Sequence, residues 1–136
     1  ADLLERKNYI SLLMEEIRER SEFMVKEYQE KLTARIQELL GTPPVDEMRI
    51  AMEVAIMADR SNITEEIVRM ASHLDQLELF LTGDGSVGRK LDFLVQEMNR
   101  EINTIGSKAN DLIISQKVVA IKSEIEKIRE QVQNLE

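Results

Sequence analysis

Apolar residues return every three or four positions along most of this chain, and polar residues fill the intervals. Between residues 2 and 40, Ile10, Met14, Ile17, Met24, Tyr28, Leu32, Ile36 and Leu39 recur at steps of three and four or their sums, with Ser21 in the one gap. That period places them on one face of a single long α-helix. Gly41-Thr42-Pro43-Pro44 ends it, since glycine suits a left-handed cap and proline cannot continue a helix. A second helix is predicted from Asp46 and Glu47 to about Asp59. Ile50, Val54 and Met57 form its apolar row, and Ala51, Ala55 and Ala58 a small-residue edge that permits close helix contact.

Ser61 to Glu66 predicts a break, with Asn62 as N-cap and Glu65 reaching back to it. The third helix runs from Ile63 to Leu81 with the row Ile63, Ile67, Met70, Leu74, Leu77 and Leu81, and Thr82 to Ser86 reads as a loop. A fourth helix starts near Val87 or Gly88 and carries Leu91, Leu94, Met98, Ile102 and Ile105; Gly106 weakens its end. Asn110 or Asp111 caps the last helix. Its row of Ile114, Val118, Ile121, Ile125, Ile128, Val132 and Leu135 alternates strictly by four and three, as a coiled-coil seam does. The expected fold is all-α: one domain over residues 1–136, a bundle of about five helices. The long first and last helices pair antiparallel, coiled-coil-like, and bring the two chain ends together.

Composition narrows the function classes. The 136 residues include 18 Lys and Arg against 26 Asp and Glu, a formal net charge of −8, with no Cys, no Trp and 4% aromatics. Cysteine chemistry is excluded: there is no disulfide framework, thiolate zinc site or cysteine nucleophile. A reducing cytoplasmic setting fits. No apolar run approaches the ~20 residues that span a bilayer, and no signal-peptide pattern is present. The acidic balance argues against a simple basic nucleic-acid wrapper. It is uneven, however. Gly88 to Lys108 holds four bases and three acids, net +1, while the rest of the chain is net −9. That segment is the least hostile place for a phosphate, so an RNA contact is expected to be narrow and salt-sensitive. The chain begins abruptly at Ala1 without an initiator Met, as a processed terminus or a fragment of a longer protein would.

The groups able to do chemistry lie on the third and fourth helices. The sole histidine, His73, shares a helix face with Arg69 and Gln76, at offsets of four and three. It reads either as a general acid or base or as a boundary histidine making one hydrogen bond. On the fourth helix, Arg89, Gln96, Arg100, Asn103 and Ser107 lie along one stripe, and Glu97, Glu101, Thr104 and Lys108 along the next. Guanidinium forks bind phosphate bidentately. Glu97 and Glu101, offset by four, suit one hard cation. The competing reading is a salt-bridged face with a buried amide network that holds the helices in register. Gly83 to Gly88 lacks the preceding strand and following Lys-Ser/Thr of a phosphate loop.

The stretch GRKLDFLVQEMNREINTIGSK (Gly88 to Lys108) resembles the most characteristic motif of the YicC-like family. ADRSNITEEIVRMASHLDQ (Ala58 to Gln76) is similar to the family's second block, and KIREQVQNLE (Lys127 to Glu136) to its closing sequence. The likeness covers essentially the whole chain. Asn62 stands where members commonly carry Asp, and a further N-terminal region of comparable size is missing, so the chain resembles the C-terminal portion of such a protein. The resemblance implies a bacterial, cytoplasmic endoribonuclease of a family earlier labelled stress-induced. Its members form ring-like hexamers that close on structured RNA, and a divalent cation is implicated. Carried onto matching positions, the resemblance singles out Arg60, Glu65, Glu66, Arg69 and His73 in one block. In the other it singles out Arg89, Lys90, Gln96, Glu97, Arg100, Glu101, Asn103 and Lys108.

The leading expectation is cleavage of RNA phosphodiester bonds. Glu97 and Glu101 would hold a divalent cation, Mg or Mn, with His73 as a second-choice acid/base. Arg89, Lys90, Arg100 and Lys108 would engage phosphates, supported by Arg69, Gln96 and Asn103. The partners expected are RNA and further copies of the chain, a hexamer in the family, with neither DNA nor a membrane. The alternative is a non-catalytic helical assembly domain whose N-terminal partner region is needed for cleavage.

Overall fold

The computed structural model describes residues 2–40, 46–83 and 88–135, apart from a few side chains at the margins. Five helices account for almost all of them: α1 Asp2–Leu40, α2 Glu47–Arg60, α3 Thr64–Thr82, α4 Gly88–Lys108 and α5 Leu112–Leu135. The expected break at Gly41 to Pro44, and the Asp84 to Ser86 part of the expected loop, lie outside the described residues. No strand occurs among the described residues, and no helix is long and apolar enough to cross a membrane.

Four helices close a ring, in which α1 packs on α3 and α5, and α4 packs on the same two; α2 packs on α1. The expected apolar rows meet in the middle of this ring. Leu91, Leu94, Met98, Ile102 and Ile105 of α4 are all buried, as are Ile114, Val118, Ile121, Ile125, Ile128 and Val132 of α5. On α3, Ile63, Met70, Leu74 and Leu77 are buried, while Ile67 and Leu81 are half-buried. Leu13 and Val95 are buried too, although neither belongs to an expected row, because each packs in a ring where its helix touches two neighbours.

The α1 row changes character along its length. Ile10, Met14, Ile17 and Met24 are buried, Tyr28, Leu32 and Ile36 half-buried, and Leu39 is 67% exposed. The reason is length. With 39 residues, α1 runs about 58 Å at 1.5 Å per residue, against about 30–36 Å for the three helices it bundles with. Its C-terminal part therefore overhangs the ring, with α2 packed against α1. On α2, Ile50 is buried and Val54 and Met57 are half-buried, but Ala51 and Ala55 face outward. The small-residue edge expected to receive a helix thus receives none among the described residues, since the ring is already closed on the other side of α1.

α1 and α5 run antiparallel. Arg6 Nη1 donates to Glu124 at 3.0 Å, Lys117 pairs with Glu16, and Arg20 Nη2 donates to Asp111 at 2.7 Å, so partners descend one helix as they climb the other. Asp2 accepts from Gln131 at 2.5 Å, which brings the start of α1 to the end of α5. Arg20 also binds Glu27 at 3.0 Å and lies 5.4 Å over the Phe23 ring, so it is fixed from three sides.

Helix ends follow the cap signals in part. Asp46 accepts from the Arg49 N–H at 3.2 Å and opens α2. Asp111, not Asn110, caps α5, accepting from the Ile114 N–H at 3.1 Å. At α3, Asn62 accepts from the Thr64 N–H at 3.0 Å, but the expected reciprocal bond from Glu65 does not form. Glu65 points along the helix to Arg69 at 3.5 Å.

Two outcomes follow. Helix α4 runs through Gly106, where a Cβ would meet Val118 Cγ1 at 3.4 Å, an ordinary contact. Gly106→Ala is therefore expected to stabilise the chain by about 0.5–1 kcal/mol in urea unfolding, because alanine has less backbone freedom to lose. Asp111 both caps α5 and binds Arg20, whose hydrogen bonds hold its carboxyl below the ordinary aspartate range. Asp111→Ala should cost about 1–2 kcal/mol at neutral pH. A depressed folded pKa contributes stability above the unfolded value, about 4, and loses it as pH falls through the folded value. The gap between parent and variant in urea midpoint should accordingly shrink as pH drops below about 4.

Candidate active site between α3 and α4

α3 and α4 meet along a seam whose centre is apolar and whose margin is ionic. On α3, Glu66, Arg69 and His73 follow at steps of three and four, so they stack on one face just beside the buried Met70 and Leu74. On α4, Glu97, Glu101, Thr104 and Lys108 do the same beside Met98, Ile102 and Ile105. Packing the two apolar rows together sets these two polar stripes opposite each other.

Glu101 is the centre of the constellation, at 4% exposure. Arg69 Nε lies 3.0 and 2.9 Å from its two oxygens, and His73 Nε2 lies 3.7 Å from Oε2. Glu66, at 1% exposure, takes Lys108 Nζ at 2.8 Å and Arg69 Nη2 at 3.6 Å. Lys108, Glu66, Arg69 and Glu101 thus form one chain of alternating charge across the seam. Hydrogen bonding to Glu101 raises the Arg69 pKa further and keeps the guanidinium charged.

His73 has both ring nitrogens buried without a hydrogen-bond partner, although its side chain is 16% exposed. One donor atom each from His73, Glu97 and Glu101 lies within 4.8 Å of the others. A nitrogen and two carboxylate oxygens at that separation match the donor set of a divalent cation. The unpartnered imidazole fits such a role, and Glu97 is half-buried at the mouth. Arg69 competes for Glu101, but it is half-exposed, and each carboxylate oxygen has a second lone pair to offer.

The other expected site residues fall elsewhere. Gln96, Arg100 and Asn103 are exposed on the other polar stripe of α4, outside the His73, Glu97 and Glu101 cluster. Lys90 is exposed near the start of α4, beside Gln76, Phe80 and Phe93. Gln76 donates to Ser72 at 3.4 Å and does not reach His73. The Arg89 side chain lies outside the described residues. Motif likeness singles out Glu66, and helix spacing holds a further signal for it: it precedes His73 by seven positions and Arg69 by three, on the same face.

The comparisons agree with the motif likeness. Residues 17–136 match the family described as "Endoribonuclease YicC-like, C-terminal". A protein of Clostridioides difficile strain 630 named "Probable endoribonuclease YicC" is 58% identical over 136 residues, which cover 99% of this chain and 44% of that protein. One of the same name from Haemophilus influenzae is 34% identical over 132 residues, covering 97% of this chain and 45% of that protein. The chain therefore spans less than half the length of these relatives. With a family match over most of its residues, it belongs to the YicC-like endoribonuclease family, to which it corresponds as the C-terminal domain.

Proposed function

We propose that this domain supplies part of the RNA-cleaving site of a cytoplasmic endoribonuclease, at the α3–α4 seam. The observation that carries the reading is the convergence of His73, Glu97 and Glu101 within 4.8 Å, beside a charged Arg69. The names borne by the relatives supply the reaction class, cleavage of phosphodiester bonds in RNA.

Each residue has a distinct task in this reading. Glu97, Glu101 and His73 would hold a divalent cation, Mg or Mn, which when bound polarises a phosphate oxygen or lowers the pKa of water. Arg69, half-exposed, reaches from Glu101 toward solvent and offsets charge that builds on the phosphate. His73 brings the cluster an imidazole, which can hold or pass a proton. Burial of Glu101 excludes water from one side of the seam and strengthens every charge interaction there.

Assembly with further copies belongs to the same reading. Leu39, 67% exposed, lines a hollow of about 380 Å³ between α1 and α2 together with Leu32, Ile36 and Ile50. Apolar side chains grouped in this way favour an oligomer. The alternative, a purely architectural domain, draws on the ion pairing of Glu101 with Arg69, which would equally serve to fix helix register.

A labelled RNA hairpin, incubated with the chain alone and within a full-length protein of its relatives' size, separates the two. Chelation by EDTA should abolish cleavage and added Mn or Mg restore it. Glu97→Gln and Glu101→Gln should each slow the chemical step by about 100-fold or more, and His73→Ala by a similar factor. Parental rates from both glutamine variants in the absence of metal would rule the assignment out and leave the architectural reading.

A further inference from the structure

Arg60 stands apart from the cluster described above and Lys108 at its far end, and both line a common space. The underside of α1, the corner between α2 and α3, and the last turn of α4 enclose a cleft of about 560 Å³. Tyr28, Glu53, Arg60, Ser61, Ser107 and Lys108 line it together with methionine side chains. Its volume lies in the range of small-ligand clefts, roughly 300–1,000 Å³.

The cleft is polar in a specific way. Arg60 is exposed and forms no ion pair among the described residues. Lys108 Nζ donates to Glu66 at 2.8 Å, and an ammonium has further hydrogens to give. Ser61 Oγ donates to the Met57 carbonyl at 2.7 Å, and Ser107 Oγ to the Thr104 carbonyl at 3.1 Å. Both hydroxyls have thus committed their hydrogens and keep lone pairs for an incoming donor. Tyr28 brings a half-buried aromatic ring, and Glu53 an exposed carboxylate. Two cations, two hydroxyl acceptors, one ring and one carboxylate match the parts of a nucleotide: phosphate, ribose 2′-hydroxyl, base face and base N–H edge.

We infer that this cleft holds one unpaired nucleotide of the RNA strand. The phosphate sits between Arg60 and Lys108, a serine accepts from the 2′-hydroxyl, the base stacks on Tyr28, and Glu53 accepts from the base's N–H groups. Single-stranded RNA is recognised by splaying a base onto an aromatic ring, and the 2′-hydroxyl is what separates RNA from DNA at such a site. In a chain of net charge −8, Arg60, with no ion pair among the described residues, gives the cleft a cation free to meet a phosphate. The cleft is physically joined to the α3–α4 cluster, since Lys108 binds Glu66 and Arg69 bridges Glu66 to Glu101. The inference rests on the RNA-cleaving reading and adds to it the site that would position the strand.

Fluorescence anisotropy with a labelled hexaribonucleotide, in EDTA so that no cutting intervenes, tests the cleft. The chain should bind the single strand more tightly than its blunt duplex and more tightly than the DNA hexamer. Arg60→Ala should weaken binding about tenfold and reduce the slope of log affinity against log salt by about one. Tyr28→Leu should weaken it by about tenfold with the slope unchanged. Both positions lie at the surface or half-buried, and matching circular dichroism would show that the helices persist. Parental affinity and slope in both variants, with the fold intact, would overturn the inference. Glu97→Gln distinguishes its fate from that of the cleavage reading. If that variant binds normally but fails to cut while Arg60→Ala binds as the parent does, the cleft falls and the α3–α4 site stands. If Arg60→Ala loses binding while Glu97→Gln cuts normally, the cleft stands and the α3–α4 site falls.

Discussion

Two carboxylates, Glu66 and Glu101, lie in the interface between α3 and α4 at 1% and 4% exposure, and their charge has to be met inside the protein. Taking an ion out of water costs on the order of several kcal/mol even after relaxation. The seam meets this cost with Arg69 between the two acids and Lys108 at the far end. The arrangement leaves little freedom in how α3 and α4 slide past each other. A shift by one turn would separate Lys108 from Glu66 and Arg69 from Glu101 together, leaving two buried charges unpaired. The neighbouring apolar rows tolerate several registers far better than these ions do.

The same constraint sets the geometry of the His73, Glu97 and Glu101 cluster. Because Arg69 and Glu101 are locked across the seam, His73, one turn beyond Arg69, comes beside Glu101, and Glu97, one turn before Glu101, completes the group. At the other end of the charge chain, Lys108 is held at the mouth of the cleft that Arg60 and Tyr28 also line. A single line of ion pairs thus spans both polar features of the domain. Substituting within it perturbs fold and function together, which is why exposed Arg60 and half-buried Glu97 are more informative positions than Glu66.

The rest of the bundle has less to decide locally. α5 reads and folds as a continuous apolar seam. α1 is held along α5 by a hydrogen bond at Asp2 and ion pairs from Arg6 to Arg20, then leaves the ring. Its overhang with α2 carries exposed Leu39, Met48 and Met52. The chain spans under half the length of its relatives.

The sequence by itself determined the helices, since period-3.6 apolar rows and the acidic start of α2 are local properties of backbone and side chain. It also determined which stripes of α4 are polar, and the motif blocks identified the family. What it left open was which polar stripe of α4 matters. The Glu97/Glu101/Lys108 and Gln96/Arg100/Asn103 stripes are adjacent on one helix and both polar, and only the docking of α3 buries Glu101 while Gln96, Arg100 and Asn103 stay in solvent. The cleft was equally hidden, because Tyr28, Arg60 and Lys108 stand far apart in the chain and meet only when α1, α2, α3 and α4 converge. Helix periodicity reports what each segment prefers within a few turns. Desolvation of charge, which selects the partner for Glu66 and Glu101, acts between segments and exists only once they have packed.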